Sequence, residues 1–253
     1  MRNLLFTISF VGTAYHGWQI QDNARTVQQT VRDAFNKITG EQPNIIGCSR
    51  TDAGVHANMF CFSVKTDSSV PERAFPAALN SQLPYDISVR RCTSVPEDFN
   101  ARYSCVQKEY EYLICTNEYR NPFYVDKALH YRYYLDEALM NTAAQSFLGT
   151  HDFSAFCSAH TDTVSKQRTI SFSEVKREGD FCIFTVRADG FLYNMVRIMA
   201  GTLICVSQGK LDAEAIPDII AGKDRSRAGF TAPPGGLYLN RVFYDERMIA
   251  DER

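Results

Sequence analysis

The sequence predicts an α+β protein made of two ferredoxin-like (split βαβ) domains, their antiparallel sheets flanking a central cleft. Three observations lead there. Apolar and polar side chains alternate with a period of two in short runs bounded by turn residues. Segments with helical spacing lie between those runs. The order β-α-β-β-α-β, read along the first half of the chain, returns in the second.

In the first half, Leu4, Phe6, Ile8 and Phe10 alternate with Leu5, Thr7 and Ser9 as a strand over residues 3–10. The same N-terminal stretch resembles a short signal peptide, but it lacks a small-residue cleavage site. A helix follows, with Thr26 and Gln29 in capping-box spacing and Gly40 as its stop. Its Val27, Val31, Phe35 and Ile38 share one face. Apolar runs at 44–48 and 59–66 come next, then a helix opened by Pro71 and ended near Pro84, then a strand from Asp86.

The second half opens with a strand over 108–116 that carries Tyr110, Tyr112 and Ile114 on one face. A helix from about Asp136 to Phe147 is expected to bury Leu139, Ala143 and Phe147. Strands at 170–177 and 181–188 form a hairpin through Glu178, Gly179 and Asp180. A long helix from about Phe191 to Ser207, a shorter one from Asp212 to Ala221, and a strand over 237–244 complete the order. The expected division is 1–104 and 105–253. No linker rich in Gly, Pro or Ser separates the halves, and a cleft between such halves is a natural substrate site.

Composition excludes several classes. The 253 residues are 45% hydrophobic and 22% charged, as in a folded soluble protein, and no apolar run approaches a membrane span. A cytoplasmic location and no membrane contact are therefore expected. A net charge of −2 gives no bulk attraction to nucleic acid, so any RNA contact must come from locally gathered Lys and Arg. Eight cysteines are scattered without a C-x-x-C pair, which argues against a disulfide framework. Only Cys157 and His160 have ligand-like spacing; with no second pair, no metal is expected. The absence of a Gly-rich dinucleotide fingerprint or P-loop implies no nucleotide cofactor.

The segment GCSRTDAGVHA (47–57) is the most unusual in the chain: Arg50, Asp52, Gly54 and His56 fall within seven residues, between two apolar runs. Turn chemistry alone accounts for these letters, with Gly54 at positive φ. They also suit a ligand site in which Gly54 admits a ligand to the backbone. There Arg50 would keep Asp52 ionised and meet a phosphate. His56 fits a structural hydrogen-bonding role better than a catalytic one.

RTDAGVHA (50–57) resembles the active-site signature of the tRNA pseudouridine synthase A (TruA) family. Further matches follow in the family's order along nearly the whole chain. They are GTAYHGWQ (12–19), RTVQ (25–28), FNARYS (99–104), KEYEY (108–112), HDF (151–153), GFLYNMVR (190–197) and GLYL (236–239). Val11, Ser49 and Asn100 stand where the family often has Asp, Gly and His.

The resemblance implies an isomerase that turns uridine into pseudouridine at positions 38, 39 and 40 of the tRNA anticodon stem-loop. It implies no cofactor, and a homodimer in which one tRNA spans both subunits. Asp52 takes the place of the catalytic carboxylate, whether it adds to the anomeric carbon or removes a sugar proton. Tyr110 takes the substrate-stacking place, although its alternation also suits plain sheet packing. Arg197 takes the place of the arginine that pairs with the catalytic Asp; by sequence it is a lone cation in an apolar helix. Arg50, Arg102, Arg168, Arg225 and Arg227 are candidate phosphate contacts, and His16 and Trp18 candidates for an RNA-facing edge. Two rivals remain beside this: an RNA-binding module without catalysis, and a carboxylate-dependent nucleosidase, which would need a second acid to activate water.

Overall fold

The computed structural model describes residues 1–159 and 163–249. It is an α+β structure in two compact units: unit 1 takes Met1–Gln107 and the chain from Leu239 onward, and unit 2 takes Lys108–Tyr238.

In unit 1 the chain runs β1 (Arg2–Phe10), α1 (Val27–Thr39), β2 (Ile46–Gly47), β3 (His56–Thr66), α2 (Phe75–Asn80) and β4 (Ile87–Val95). β1 lies between β3 and β4 and is antiparallel to both, with Phe6 opposite Phe62 and Cys92; the short β2 pairs with β3. Alternation decides the layers. Leu4, Phe6 and Ile8 of β1 and Phe60 and Phe62 of β3 are fully buried with Val31 and Phe35 of α1 and Phe75 of α2. Phe6 stacks on Phe62 at 4.9 Å and meets Phe75 edge-on at 5.4 Å. Rings packed this way add to the stabilisation from buried area.

Thr26 caps α1 by accepting from Gln29 N at 3.3 Å, and Gly40 ends it at φ 75°. The reciprocal half of the capping box does not form. The Gln29 side chain bonds Asp33 and Arg32 instead, while Gly17 O and Trp18 O accept from the first-turn amides of Val27 and Gln28. The helix expected from Pro71 is a 3-10 turn (Glu72–Ala74) followed by the six-residue α2.

Unit 2 contains most of β5 (Cys105–Cys115), then β6 (Leu129–His130), α3 (Glu137–Gln145), β7 (Gly149–Asp152), β8 (Gln167–Glu178), β9 (Phe181–Ala188), α4 (Met195–Ser207) and α5 (Ile216–Gly222). Its strand order is β5-β9-β8-β7, all antiparallel. The two-residue β6 is the exception, parallel to the end of β5. β10 (Leu237–Tyr244) belongs from Leu239 to unit 1, where it lies beside β3.

Two helices depart from the pattern expected. In α3 the buried stripe is Met140, Ala143, Ala144 and Phe147, and Leu139 is 38% exposed, because i, i+3, i+4, i+7 spacing starts from Met140. α4 starts at Met195, not Phe191, because Asn194 adopts a left-handed φ of 60° that no α-helix accommodates. Among the described residues no helix is long and apolar enough to cross a membrane.

Candidate active site

Asp52 sits on the loop between β2 and β3, and the segment 12–18 holds that loop from behind. Gly54 N donates to Tyr15 O, and Trp18 N to Thr51 O, each at 3.2 Å. Val55 N closes a turn onto Asp52 O, with Gly54 at φ 78°. The two backbones lie so close that only glycine fits at two places. A Cβ on Gly12 would run into Val55 O, and one on Gly17, itself at φ 80°, into Thr51 O.

The side chains of the loop have separated roles. Fully buried His56 accepts from Gly12 N through Nδ1 at 2.9 Å, so the unprotonated Nδ1 faces the backbone and the ring is a brace. Thr51 is 8% exposed, and its hydroxyl has no hydrogen-bond partner among the described residues. Asp52 itself is half-buried. Arg50 is exposed and makes no hydrogen bond or ion pair among the described residues, so its guanidinium does not hold the Asp52 carboxylate.

Nearby in unit 1, the Tyr15 hydroxyl donates to Asp86 at 2.7 Å, and Arg25 lies over the Tyr15 ring at 4.9 Å. Burial first, then the Asp86 carboxylate, push this phenol well above its ordinary pKa. Sequence reasoning missed this bracing, since Asp86 is 71 residues from Tyr15. Trp18 is a core residue, 3% exposed and stacked on Phe60 at 4.1 Å, while His16 is exposed.

In unit 2, Tyr110 stands on β5 opposite Val186 and is 6% exposed, its ring edge-on to Phe191 at 5.0 Å. Two residues on, Tyr112 donates its hydroxyl to Pro233 O at 2.7 Å. Arg197 leaves the first turn of α4, its Nε donating to the adjacent carbonyl of Ala232 and its Nη1 to Asn194 Oδ1, both at 2.7 Å. The consecutive carbonyls of Ala232 and Pro233 thus accept from the Arg197 guanidinium and from the Tyr112 hydroxyl, respectively. Burial raises the Tyr112 pKa and the Arg197 charge opposes that rise. Asn194, which sequence reasoning also missed, holds a conformation that costs a non-glycine residue of order 1 kcal/mol.

The remaining candidate arginines divide. Arg225 bonds Gly229 O and Thr231 Oγ1, and Arg227 bonds Asp218 O, so both brace local backbone. Arg168 bonds the carbonyls of Ser165 and Gln167. Arg102 is exposed over the ring of Tyr103, itself 81% exposed. Asn100 accepts from the amides of Arg102 and Tyr103, so it shapes this turn. No group of three or more His, Cys, Asp or Glu residues able to hold a metal occurs among the described residues; His160 lies outside them.

The half-buried Asp52 thus sits on a loop that neighbouring backbone immobilises, within an α+β fold. The comparisons with known proteins give the family. The family model for tRNA pseudouridine synthase matches residues 7–104 and 143–245. The tRNA pseudouridine synthase A of Caldicellulosiruptor saccharolyticus is 47% identical over 244 residues, covering 96% of this chain and 100% of that one. Those of Thermoanaerobacter sp. and Ruminiclostridium cellulolyticum are 44% and 46% identical, with the same shares of each chain covered. The chain belongs to the tRNA pseudouridine synthase family, isomerases that act on tRNA.

Proposed function

We propose that the chain isomerises uridine to pseudouridine at positions 38, 39 and 40 of the tRNA anticodon stem-loop, with Asp52 as the catalytic carboxylate. The supporting observation is that the loop carrying Asp52 is held by backbone hydrogen bonds from the segment 12–18, with Asp52 half-buried on it. In the reaction the N1–C1′ bond breaks, the uracil turns, C5 bonds to C1′, the C5 proton leaves, and N1 takes up a proton, so that atoms balance as in any isomerisation. Both available routes, addition at C1′ or removal of a sugar proton, need an ionised carboxylate against the ribose.

The target uridine leaves its stack to reach that acid. In this proposal residues 1–104 bring the acid, and residues 105–253 bring Tyr110 to the base and Arg197 to the Asp52 carboxylate. An adjacent guanidinium favours the ionised form. Arg50 and Arg102, both exposed, would meet phosphates, contacts that position RNA without reading its sequence. The enzyme works in the cytoplasm, as a homodimer, without a cofactor. Mapping pseudouridines in unmodified tRNA after incubation with the purified protein tests the proposal. New pseudouridine at 38, 39 or 40 is expected; pseudouridine confined to other positions would refute the site preference, and free uracil the reaction itself.

A further inference from the structure

The geometry points to Asn194 as a positioning residue that sets the plane of the Arg197 guanidinium, and through it the catalytic carboxylate. This rests on the pairing of Arg197 with Asp52 proposed above.

An arginine side chain is long and flexible, and one hydrogen bond leaves its planar head free to spin. Arg197 has two on different nitrogens: Nε to Ala232 O and Nη1 to Asn194 Oδ1. Together they fix both tilt and rotation of the plane. The backbone closes the same frame, since Ala232 N donates to Arg197 O at 3.1 Å. The segment carrying Ala232 is itself locked to α4: Gly229 N donates to Thr202 Oγ1, and Gly201 has no room for a Cβ against Phe230 O.

The orientation of the Asn194 amide follows from chemistry. Arginine only donates, so the amide oxygen must face it, which turns Nδ2 outward. There Nδ2 donates to Ser158 Oγ at 2.9 Å, while Ser158 N donates to Tyr193 O. A side chain held at both ends explains why a non-glycine residue is kept at φ 60° directly before α4. Glycine would supply that backbone without strain, and asparagine tolerates it while adding an acceptor for Arg197. Helix capping does not account for the side chain, because it makes no cap hydrogen bond to α4.

The test compares Asn194→Gly, Asn194→Asp, Arg197→Ala and the double variant Asn194→Gly with Arg197→Ala. The readouts are tritium release from C5-labelled uridine in tRNA, tRNA affinity and melting temperature. Asn194→Gly keeps the left-handed backbone and removes only the two side-chain bonds, so melting should stay within about 4 °C of the parent. Its kcat should fall about 10- to 100-fold, as for a misaimed catalytic group, with tRNA affinity nearly unchanged. The acid limb of its kcat profile should move to higher pH, because a misdirected guanidinium holds the carboxylate ionised less well. Asn194→Asp, which keeps the acceptor, should recover most of the activity. In the Arg197→Ala background, Asn194→Gly should cost nothing further.

An Asn194→Gly enzyme with parental kcat and pH profile would overturn the inference. So would an equal loss with and without Arg197, or a loss that follows melting temperature and is not rescued by Asp. Full activity in Arg197→Ala would instead refute the role of Arg197 on which the inference rests.

Discussion

At the scale of single residues, the candidate site depends on positions whose importance lies in contacts no local pattern displays. Gly12 and Gly17 look like ordinary turn residues, yet each lies against the backbone of the Asp52 loop where a methyl group does not fit. Gly17→Ala adds a Cβ against Thr51 O at φ 80° and should cost roughly 1–3 kcal/mol in a urea titration. It should also displace Asp52 and lower turnover by more than that stability loss explains. Parental turnover would show that the loop is not held from behind. Tyr110 gives a second prediction, because its ring is 6% exposed and packed on Phe191. Tyr110→Phe preserves that packing and should keep stability, so that any loss of tritium release reports on the hydroxyl alone. Tyr110→Ala removes that packing and, with it, the proposed base contact, and should destabilise by about 3 kcal/mol or more and abolish tritium release. Normal release by a folded Tyr110→Ala would rule out the stacking role.

At the scale of elements, termini anchored by named side chains were the most legible. Thr26 and Gly40 bound α1 as the sequence predicts, since capping is a local interaction. The start of α4 was not legible. Nothing in GFLYNMVR marks Asn194 as left-handed, and its conformation is held by Ser158, distant in sequence, as well as by Arg197. Along α3, Ala143 and Phe147 are buried as expected and only Leu139 was misassigned, because both Leu139 and Met140 are apolar and only packing selects Met140. The start of α3 also carries a pH dependence. Arg177 bonds Leu135 O and Glu137 at 2.9 Å each, tying α3 to β8, and holds the Glu137 carboxyl below its ordinary pKa of 4.5. A depressed carboxyl contributes its stabilisation in full above its unfolded value and loses it as pH falls through the folded one. The pair is partly exposed, so Glu137→Gln should cost only about 0.3–1 kcal/mol at pH 7. That difference should vanish in urea titrations carried to pH values below the ordinary glutamate range; a constant difference would contradict the ion-pair origin.

At the scale of the whole molecule, the α+β class and the antiparallel pairing of the long strands follow from period-two alternation, which sorts side chains between two faces of a sheet. The passage of β10 from unit 2 into unit 1 was not legible, because alternation states that a strand exists and not which neighbour it pairs with. The same limit applies to the site. Turn chemistry explains the letters around Asp52 as well as catalysis does, and it is the ordered motifs along the chain that motivate proposing the second. A net charge of −2 likewise does not announce an RNA enzyme. The most direct measurement is C5-tritium release from labelled tRNA by the parent protein and Asp52→Asn, with tRNA affinity measured alongside. The parent should release tritium and form pseudouridine, and Asp52→Asn should bind tRNA within a few-fold while releasing none. Retained release by Asp52→Asn would contradict the account.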